Sequence, residues 1–383
     1  MPAAEAMTID EARAALRRFQ ERVDRALAQA PPTKAWVRDA LRRRGAPRCP
    51  VRLKRLSYDA ILRHGDALAD LFSAHPDDVV FAQAYEAFVG FQPPGRPDAV
   101  DPVRALTQDA EWTDEWGTRW AHASGGVGAS TVAYPLSDWS ALDDYLSRMP
   151  DPAAPGRLDA ALPAVRAHGT TKYFCGMAHL VLYERYHCLR GMENAFADFL
   201  LSPREAERLL EALTDYYVGL IRSWAKLDGV DAVFLTDDWG TQNALMISPD
   251  LWRKLFAPRY RKIFDEAHRA GLDVVFHSCG NVTAIVGDLI DLGADVIDPL
   301  QPEAMDLERI AREYGGKVAF SGGLSDQRIA RSTPEEVKEE VRRTVDRLGR
   351  AFRNAYIVAP SNVLTPDIPL ANIAALFEAC HAP

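Results

Sequence analysis

The sequence predicts an α/β fold, a (β/α)8 TIM barrel with an extra N-terminal helical segment. The length of 383 residues is ordinary for such a barrel with insertions. From about residue 170, short apolar runs alternate with helical segments, the pattern that builds a parallel sheet. No Gly-x-Gly-x-x-Gly motif follows an apolar run, which argues against an open dinucleotide-binding sheet. We therefore expect a helical extension over residues 1–50 and a barrel over residues 51–383.

The bulk composition limits the class of protein. An apolar fraction of 48% and a charged fraction of 26% are typical of a soluble globular chain. A net charge of −9 argues against a protein that binds nucleic acid or an anionic membrane through its whole surface. No stretch approaches the roughly 20 apolar residues of a membrane span, and the acidic N-terminus is unlike a secretory signal. The five scattered cysteines argue against a disulfide framework, so we expect a cytoplasmic protein.

The N-terminal segment predicts an amphipathic helix over residues 8–30. Thr8 suits its N-cap, and Pro31-Pro32 ends it. Its apolar side chains on one face are Leu16, Phe19, Val23 and Leu27. This helix suits a dimerisation arm, and hence a homodimer, or a lid on the barrel floor, and the sequence leaves both open.

The segment that follows is expected to mix short helices with loops over residues 31–125. Residues 91–102 and 150–157 are Pro-rich connections. The run Gly125–Gly128 lacks a strand before it and a helix after it, so we interpret it as a flexible loop.

Six short apolar runs have the composition of buried parallel strands. They are Tyr173–Met177, Ala232–Leu235, Val274–His277, Val296–Ile297, Val318–Phe320 and Tyr356–Val358. Helix starts lie between them, because Ser202, Ser248 and Thr333 each place a hydroxyl before a proline. Ser202 and Thr333 also have Glu at the capping-box position. The alternation predicts a closed barrel.

Catalytic side chains of a barrel stand at the carboxyl ends of its strands. The run Val274–His277 ends in His277-Ser278-Cys279-Gly280-Asn281. Residues two apart on a strand point the same way, so His277 and Cys279 can converge on one point. Imidazole and thiolate together suit Zn²⁺. A core histidine beside a buried cysteine is the alternative, and the strand-end position favours the metal site.

Two adjacent carboxylates, Asp237 and Asp238, follow the run Ala232–Leu235, and Gln242 lies shortly after them. Buried carboxylates are costly unless they are paired, bound to metal or used in catalysis. We predict that one of them binds metal or takes a proton and that Gln242 contacts substrate. The alternative is a loop whose aspartates cap the next helix.

Two later strand ends carry further candidates. Gly322 and Gly323 allow the backbone to approach a substrate closely, a plain turn being the alternative. Ser361 and Asn362 can donate or accept hydrogen bonds but are poor zinc ligands. We predict that Ser361 binds substrate and that Asn362 is a catalytic residue.

Alternating charges follow the first of the six runs. Glu184 is a catalytic candidate, and Arg185 and Arg190 are candidates for binding an anionic substrate. The alternative for the two arginines is an internal ion-pair network. The nearby His179, His187 and Cys188 are interpreted as structural residues.

At these residues the sequence resembles the uroporphyrinogen decarboxylase superfamily, over about residues 170–380. The matching motifs are Asp237-Asp238-Trp239-Gly240, His277–Asn281, Gly293–Val296, Gly322-Gly323-Leu324 and Pro366–Pro369 with Asn372, and, more weakly, Asp114–Gly117. The superfamily contains heme-pathway decarboxylases and zinc-dependent methyltransferases that act on corrinoid or thiol substrates. All of these are (β/α)8 barrels.

The resemblance favours the methyltransferase branch. The decarboxylases carry an Arg-Gln-Ala-Gly-Arg motif that this chain lacks, and a His where it has Asn362. The methyltransferases carry the His-x-Cys-Gly pattern, which implies that His277 and Cys279 are zinc ligands. Their second Cys in the last loop is replaced here by Ser361 and Asn362. A third ligand must therefore come from elsewhere, the candidates being Asp237, Asp238, Glu184 and Glu303.

The sequence thus predicts an enzyme that uses zinc to transfer a methyl or other group to or from a small substrate. The resemblance implies a corrinoid or a thiol as co-substrate and a corrinoid protein as a partner. A metal-free decarboxylase of uroporphyrinogen or another acid is the first alternative. A non-catalytic barrel that binds a corrinoid or a metabolite is the second. A site with one thiolate is a stronger Lewis acid than one with two, so ether demethylation and lyase chemistry stay open.

Overall fold

The computed structural model describes residues 7–82, 91, 99–124 and 128–382. The strands in these ranges are β1 Val79–Phe81, β2 Ala110–Thr113, β3 Arg119–His122, β4 Ser130–Ala133, β5 Tyr173–Ala178, β6 Ala232–Thr236, β7 Asp273–His277, β8 Val296–Leu300, β9 Ala319–Leu324 and β10 Tyr356–Pro360. Seven of them form a parallel sheet in the order β1-β5-β6-β7-β8-β9-β10. The six predicted runs lie on β5 to β10, so those predictions are confirmed.

A short extended segment joins the two edges of this sheet. Val51 bridges Val358 of β10 in parallel, and the Arg52 amide donates to the Val358 carbonyl at 2.9 Å. On the other side, the Asp78 amide, just before β1, donates to the Val51 carbonyl at 2.9 Å. The parallel sheet therefore curls until its edges meet through this segment, as in a TIM-barrel-like fold.

Helices cover the outside of the curled sheet. Their bounds are α1 Ile9–Gln29, α2 Lys34–Leu41 and α3 Tyr58–Ala74, followed by Pro102–Thr107, Leu142–Ser147, Leu162–His168, Tyr183–Arg190, Met192–Leu201, Pro203–Trp224, Pro249–Leu255, Ala257–Arg269, Val286–Leu292, Leu307–Tyr314, Asp326–Arg331, Pro334–Phe352 and Leu370–Cys380. Short 3-10 turns lie at Trp139–Ala141, Asp159–Ala161 and Thr283–Ile285. Within the described part of the chain, no helix combines the length and the apolar character needed to cross a bilayer.

Of the three helix caps predicted between the strands, two form. The Ser248 hydroxyl accepts from the Leu251 amide at 3.2 Å, and Thr333 makes a full capping box with Glu336. Ser202 precedes its helix but makes no side-chain cap hydrogen bond, so its predicted capping box is wrong. The φ of −132° and ψ of 52° at Ser202 differ from the extended backbone of the working caps, Ser248 and Thr333.

The predicted N-terminal helix is α1, and Thr8 caps it with a capping box to Glu11. Phe19, Val23 and Leu27 are buried, and the helix packs along α3. Its apolar face is thus buried within the described part of the chain. The boundary that we predict at residue 50 stays a prediction.

Helix α2 lies against the amino ends of the strands. Lys34 and Arg38 pair with the buried Asp231, just before β6, and the Lys34–Asp231 distance is 2.8 Å. Arg42 pairs with Asp273, the first residue of β7, at 3.2 Å. These carboxylates mark the amino ends of the strands, opposite the end where barrels carry their active sites.

The region before residue 170 contains strands that we did not predict. Besides β1, the strands β2, β3 and β4 form an antiparallel sheet, in which Trp112 and Trp120 are cross-strand partners with stacked rings. The predicted connection over residues 150–157 is free of strands and α-helices. Residues 92–98 of the other Pro-rich connection, and residues 125–127 of the glycine run, lie outside the described residues.

Candidate metal centre

Three side chains with metal-binding chemistry meet at the carboxyl ends of β6 and β7. His277 ends β7, and its Nε2 lies 3.4 Å from Cys279 Sγ. Asp238 follows β6, and its Oδ1 lies 3.6 Å from His277 Nε2. The three potential ligand atoms lie within 4.8 Å of one another. An imidazole, a thiol and a carboxylate at this spacing form a donor set that suits zinc.

Two glycine turns bring Asp238 and Cys279 together. The Gly240 amide donates to the Cys279 carbonyl at 3.1 Å, and the Asn281 amide donates to the Thr241 carbonyl at 2.7 Å. The turns touch so closely that a Cβ on Gly240 would lie 2.5 Å from the Asn281 nitrogen. The Cys279 amide then donates to Asp238 Oδ1 at 2.8 Å. The glycines of the two motifs therefore set the distance between two candidate ligands.

Asp237 points away from this cluster. It is fully buried and accepts hydrogen bonds from the amides of Leu182, Tyr183 and Glu184 at 2.7–2.9 Å, and from the Tyr260 hydroxyl. Burial raises the pKa of Asp237 to about 6 although these hydrogen bonds oppose the shift. Of the two predicted carboxylates, Asp238 joins the cluster, whereas Asp237 anchors the start of the helix Tyr183–Arg190.

Glu184 stands beside the cluster in the first turn of that helix. Its Oε2 is buried and has no hydrogen-bond partner among the described residues. Burial, together with the Asp238 and Asp237 carboxylates, raises the pKa of Glu184 well above its usual range. Glu184 therefore presents a carboxyl group that favours its protonated form to the same cavity as the three candidate ligands.

The Cys279 thiol is also protonated when no cation is near. Burial, with the Asp238 carboxylate, raises the pKa of Cys279 well above its usual range. A bound divalent cation would reverse this preference, because it stabilises the thiolate directly. The cluster is thus arranged to release a proton when it takes up a metal.

A cavity of about 1030 Å³ opens beside the cluster. This volume is at the upper end of the roughly 300–1,000 Å³ of small-molecule sites. Its wall includes the aromatic side chains Phe81 and Phe234 and, from the segment after Val51, the cationic Arg52, Lys54 and Arg55. The cavity can therefore hold a molecule that has an apolar body and an anionic group.

The two arginines predicted to bind substrate are engaged inside the protein. Arg185 is buried, and its Nη1 lies 3.1 Å from Asp114 Oδ2. Arg190 is buried too and makes a two-pronged contact with Asp198 at 2.7 and 2.9 Å. Both arginines fit the internal ion-pair alternative, and the cations on the wall of the large cavity come from elsewhere in the chain.

The remaining predicted substrate contacts are spread out. Gly322 and Gly323 approach neighbouring chain segments closely, since a Cβ at Gly322 would lie 2.8 Å from the Leu300 nitrogen. Ser361 is buried and donates to Asp326 at 2.9 Å. Asn362 lines the large cavity. Of these residues, only Asn362 is placed beside the space that the cluster faces.

Two loop residues hold the rim of the barrel together. Gln242 donates to the backbone carbonyl of Glu303, and the Glu303 carboxylate accepts from Ser325. Glu303 is absent from the group of three potential ligands. The structure thus brings Asp238, and not Glu303, next to His277 and Cys279.

Several residues at the cavity were not assigned a functional role from the sequence. His179, His187 and Cys188, interpreted as structural, line the cavity together with Glu184. Burial, with the charge of Arg185, lowers the pKa of His179 to about 3 and that of His187 to about 4. Both imidazoles are therefore neutral at physiological pH.

Comparison with known proteins places this site in a family. The model of the family described as uroporphyrinogen decarboxylase (URO-D) matches residues 184–383, just over half of the chain. Uroporphyrinogen decarboxylase from Legionella pneumophila (strain Lens) is 25% identical over 190 residues, which are 49% of this chain and 49% of that protein. The chain thus spans about half the length of this relative.

A solved structure extends the likeness in fold. The methyltransferase from Methanosarcina mazei superposes with a TM-score of 0.61 at 16% sequence identity, covering 92% of this chain and 98% of its own. This agreement supports a TIM-barrel-like fold for nearly the whole chain.

Proposed function

The chain belongs to the uroporphyrinogen decarboxylase family, and from this premise we propose that it is a zinc-dependent enzyme that transfers a methyl group to or from a small substrate. The observation that carries the proposal is the meeting of Asp238, His277 and Cys279 at one point. In the (β/α)8 barrel that we propose, residues 50–53 form the first strand. The proposal is supported by the position of the cluster, which follows β6 and β7 at their carboxyl ends, where barrels carry their active sites.

The residues present fit a catalytic zinc ion. Such sites take three protein ligands and leave a fourth position for water or substrate. His277 offers Nε2, Cys279 offers its sulfur and Asp238 offers a carboxylate oxygen, all facing the cavity. Asp238 thereby fills the role left open by the missing second cysteine of the family's methyltransferase branch.

Each neighbouring group has a part in binding or proton handling. Zinc, when bound, lowers the pKa of a substrate thiol so that the sulfur reacts as a thiolate. Glu184 holds a proton on a carboxyl group that faces the reacting atoms. The apolar wall at Phe81 and Phe234 excludes water. Arg55, which also pairs with the buried Asp298 at 3.5 Å, orients an anionic group of the substrate. The substrate thiol gives up its proton to solvent, its sulfur forms the new bond to the methyl carbon, and the donor keeps the electron pair of the bond that breaks.

A second candidate function is metal-free decarboxylation of uroporphyrinogen or another acid. The observation that favours it is the row of cationic side chains, Arg52, Lys54 and Arg55, on the cavity wall. Such groups bind the carboxylates of an acidic substrate. The donor set of the cluster favours the zinc enzyme.

The test compares zinc-loaded and chelator-stripped protein. Methylcobalamin serves as methyl donor, and thiols that carry a carboxylate or a sulfonate serve as acceptors. We expect thioether formation with the zinc-loaded protein, at least a hundredfold less after stripping, and recovery on adding zinc back. Uroporphyrinogen III turnover that is insensitive to chelation would establish the decarboxylase instead.

Two cysteine variants sharpen this test. Cys279→Ala removes a candidate ligand, whereas Cys188→Ala removes a thiol that lines the same cavity but lies outside the cluster. We expect Cys279→Ala to lose both zinc and methyl transfer and Cys188→Ala to keep both. Equal activity in the two variants would contradict the assignment of Cys279.

A further inference from the structure

We propose that Asp298 is a positioning residue that fixes the His277 ring so that Nε2 is free to bind metal. Asp298 lies on β8, in register with His277 on the neighbouring β7. Its Oδ1 is 2.5 Å from His277 Nδ1, the ring nitrogen turned away from Cys279 and Asp238. The inference rests on the metal site proposed above, and it concerns which nitrogen carries the proton.

The surroundings of Asp298 keep it ionised. The residue is fully buried, and the guanidinium groups of Arg52 and Arg55 lie 3.7 and 3.5 Å from its oxygens. A buried carboxylate between two cations stays an anion and can only accept a hydrogen bond. Because the acceptor is fixed, Nδ1 of His277 must carry the proton.

The position of that proton decides what the other nitrogen can do. In a neutral imidazole, one nitrogen donates and the other keeps a lone pair. With the proton on Nδ1, the lone pair sits on Nε2, which faces Cys279 and Asp238 at 3.4 and 3.6 Å. Outer hydrogen bonds of this kind orient histidine ligands, and their loss weakens metal binding about 10–100-fold.

Arg52 and Arg55, which pair with Asp298, lie far from it in the sequence. Arg52 and Arg55 are three positions apart in the extended segment that joins the sheet edges. Asp298 is the one charged residue of the otherwise apolar strand β8. Arg52 also lies over the Phe81 ring at 4.1 Å, which holds its guanidinium group inside the barrel. The charges that hold Asp298 therefore come from the segment after Val51, far from β8 in the sequence.

The test measures zinc affinity by competition with a chelator and the absorption spectrum of the protein loaded with Co²⁺. Asp298→Asn is compared with Asp273→Asn, which removes a carboxylate at the opposite end of β7 that pairs with Arg42. We expect about 10–100-fold weaker zinc binding and shifted Co²⁺ bands in Asp298→Asn, and neither change in Asp273→Asn. Wild-type affinity and spectrum in a folded Asp298→Asn protein would overturn the inference.

A second measurement does not depend on a folded Asp298 variant. NMR spectra of wild-type protein labelled with ¹⁵N-histidine are recorded without metal. The signals of His277 are identified by their absence from the spectrum of His277→Gln. We expect the proton on Nδ1, and a proton on Nε2 would overturn the inference. A wild-type chain that binds zinc but transfers no methyl group would refute the proposed reaction and leave the role of Asp298 standing. A chain that binds neither zinc nor Co²⁺ would refute both.

Discussion

Replacing Gly280 by alanine tests how the two candidate ligands are brought together. Gly280 has a φ of +80°, where a residue with a Cβ loses roughly 1–2 kcal/mol. Its added Cβ would also lie 2.7 Å from Gly240 Cα, with the Gly240 carbonyl closer still. Overpacking of this kind costs roughly 1–3 kcal/mol more, so Gly280→Ala should lose about 2–5 kcal/mol of unfolding free energy.

Gly271 provides the matched control. It has the same φ of +80°, but nothing lies within 4 Å of a Cβ added there. Gly271→Ala should therefore lose only about 1–2 kcal/mol, measured by urea unfolding, and should bind zinc like the wild type. Gly280→Ala should also bind zinc more weakly, because the turns that carry Asp238 and Cys279 must move apart. Equal losses of stability and unchanged zinc binding in both variants would refute this reasoning.

Two further predictions concern residues that are not candidate ligands. The pKa of His187 is lowered to about 4 in the folded protein, so the unfolded chain protonates this imidazole first as the pH falls below about 6.5. The free energy of unfolding should therefore fall between pH 6.5 and pH 4, by up to about 3 kcal/mol. His187→Gln should flatten urea-unfolding curves over this window, and an unchanged pH slope would argue against it. Asp231→Asn should lower the free energy of unfolding by about 3 kcal/mol, because Lys34 loses its buried partner. The variant should still bind zinc as the wild type does, because the metal site lies at the opposite end of the strands. Loss of zinc in a folded Asp231→Asn protein would contradict the separation of floor and site.

The sequence predicts β5 to β10 because each is a continuous apolar run buried on both faces. It does not reveal β1 or residues 50–53. These segments are only a few residues long, and charged Arg52, Asp77 and Asp78 interrupt or adjoin them. The alternation of strands and helices is local, whereas the closing contact joins Val51 to Val358 across most of the chain.

The site shows the same division between local and distant causes. His277 and Cys279 share a strand end, so their spacing alone predicts that they meet. Asp237 and Asp238 are neighbours in sequence, and the sequence does not show which of them faces the metal site. The packing of the helix Tyr183–Arg190 decides this, because the amides at its start bind Asp237. A carboxylate in the middle of an apolar strand is costly unless it is paired, and that signal could have identified Asp298.

The arginines show where charge alone misleads. Arg185 is paired with Asp114, 71 positions away in the chain, so its partner is invisible to a local pattern. Arg190 is paired with Asp198 only eight positions away, but across the break between two helices. An isolated run of charges therefore predicts that partners exist, and the fold decides whether they are protein or substrate.

X-ray absorption at the zinc edge, on protein purified with its native metal content, tests the central claim most directly. We predict one zinc ion per chain, with one sulfur ligand and the remaining ligands nitrogen and oxygen. Cys279→Ala should lose the sulfur contribution, and Cys188→Ala should keep it. Protein without zinc, or a sulfur contribution that is unchanged in Cys279→Ala, would contradict the claim that Asp238, His277 and Cys279 form a metal centre.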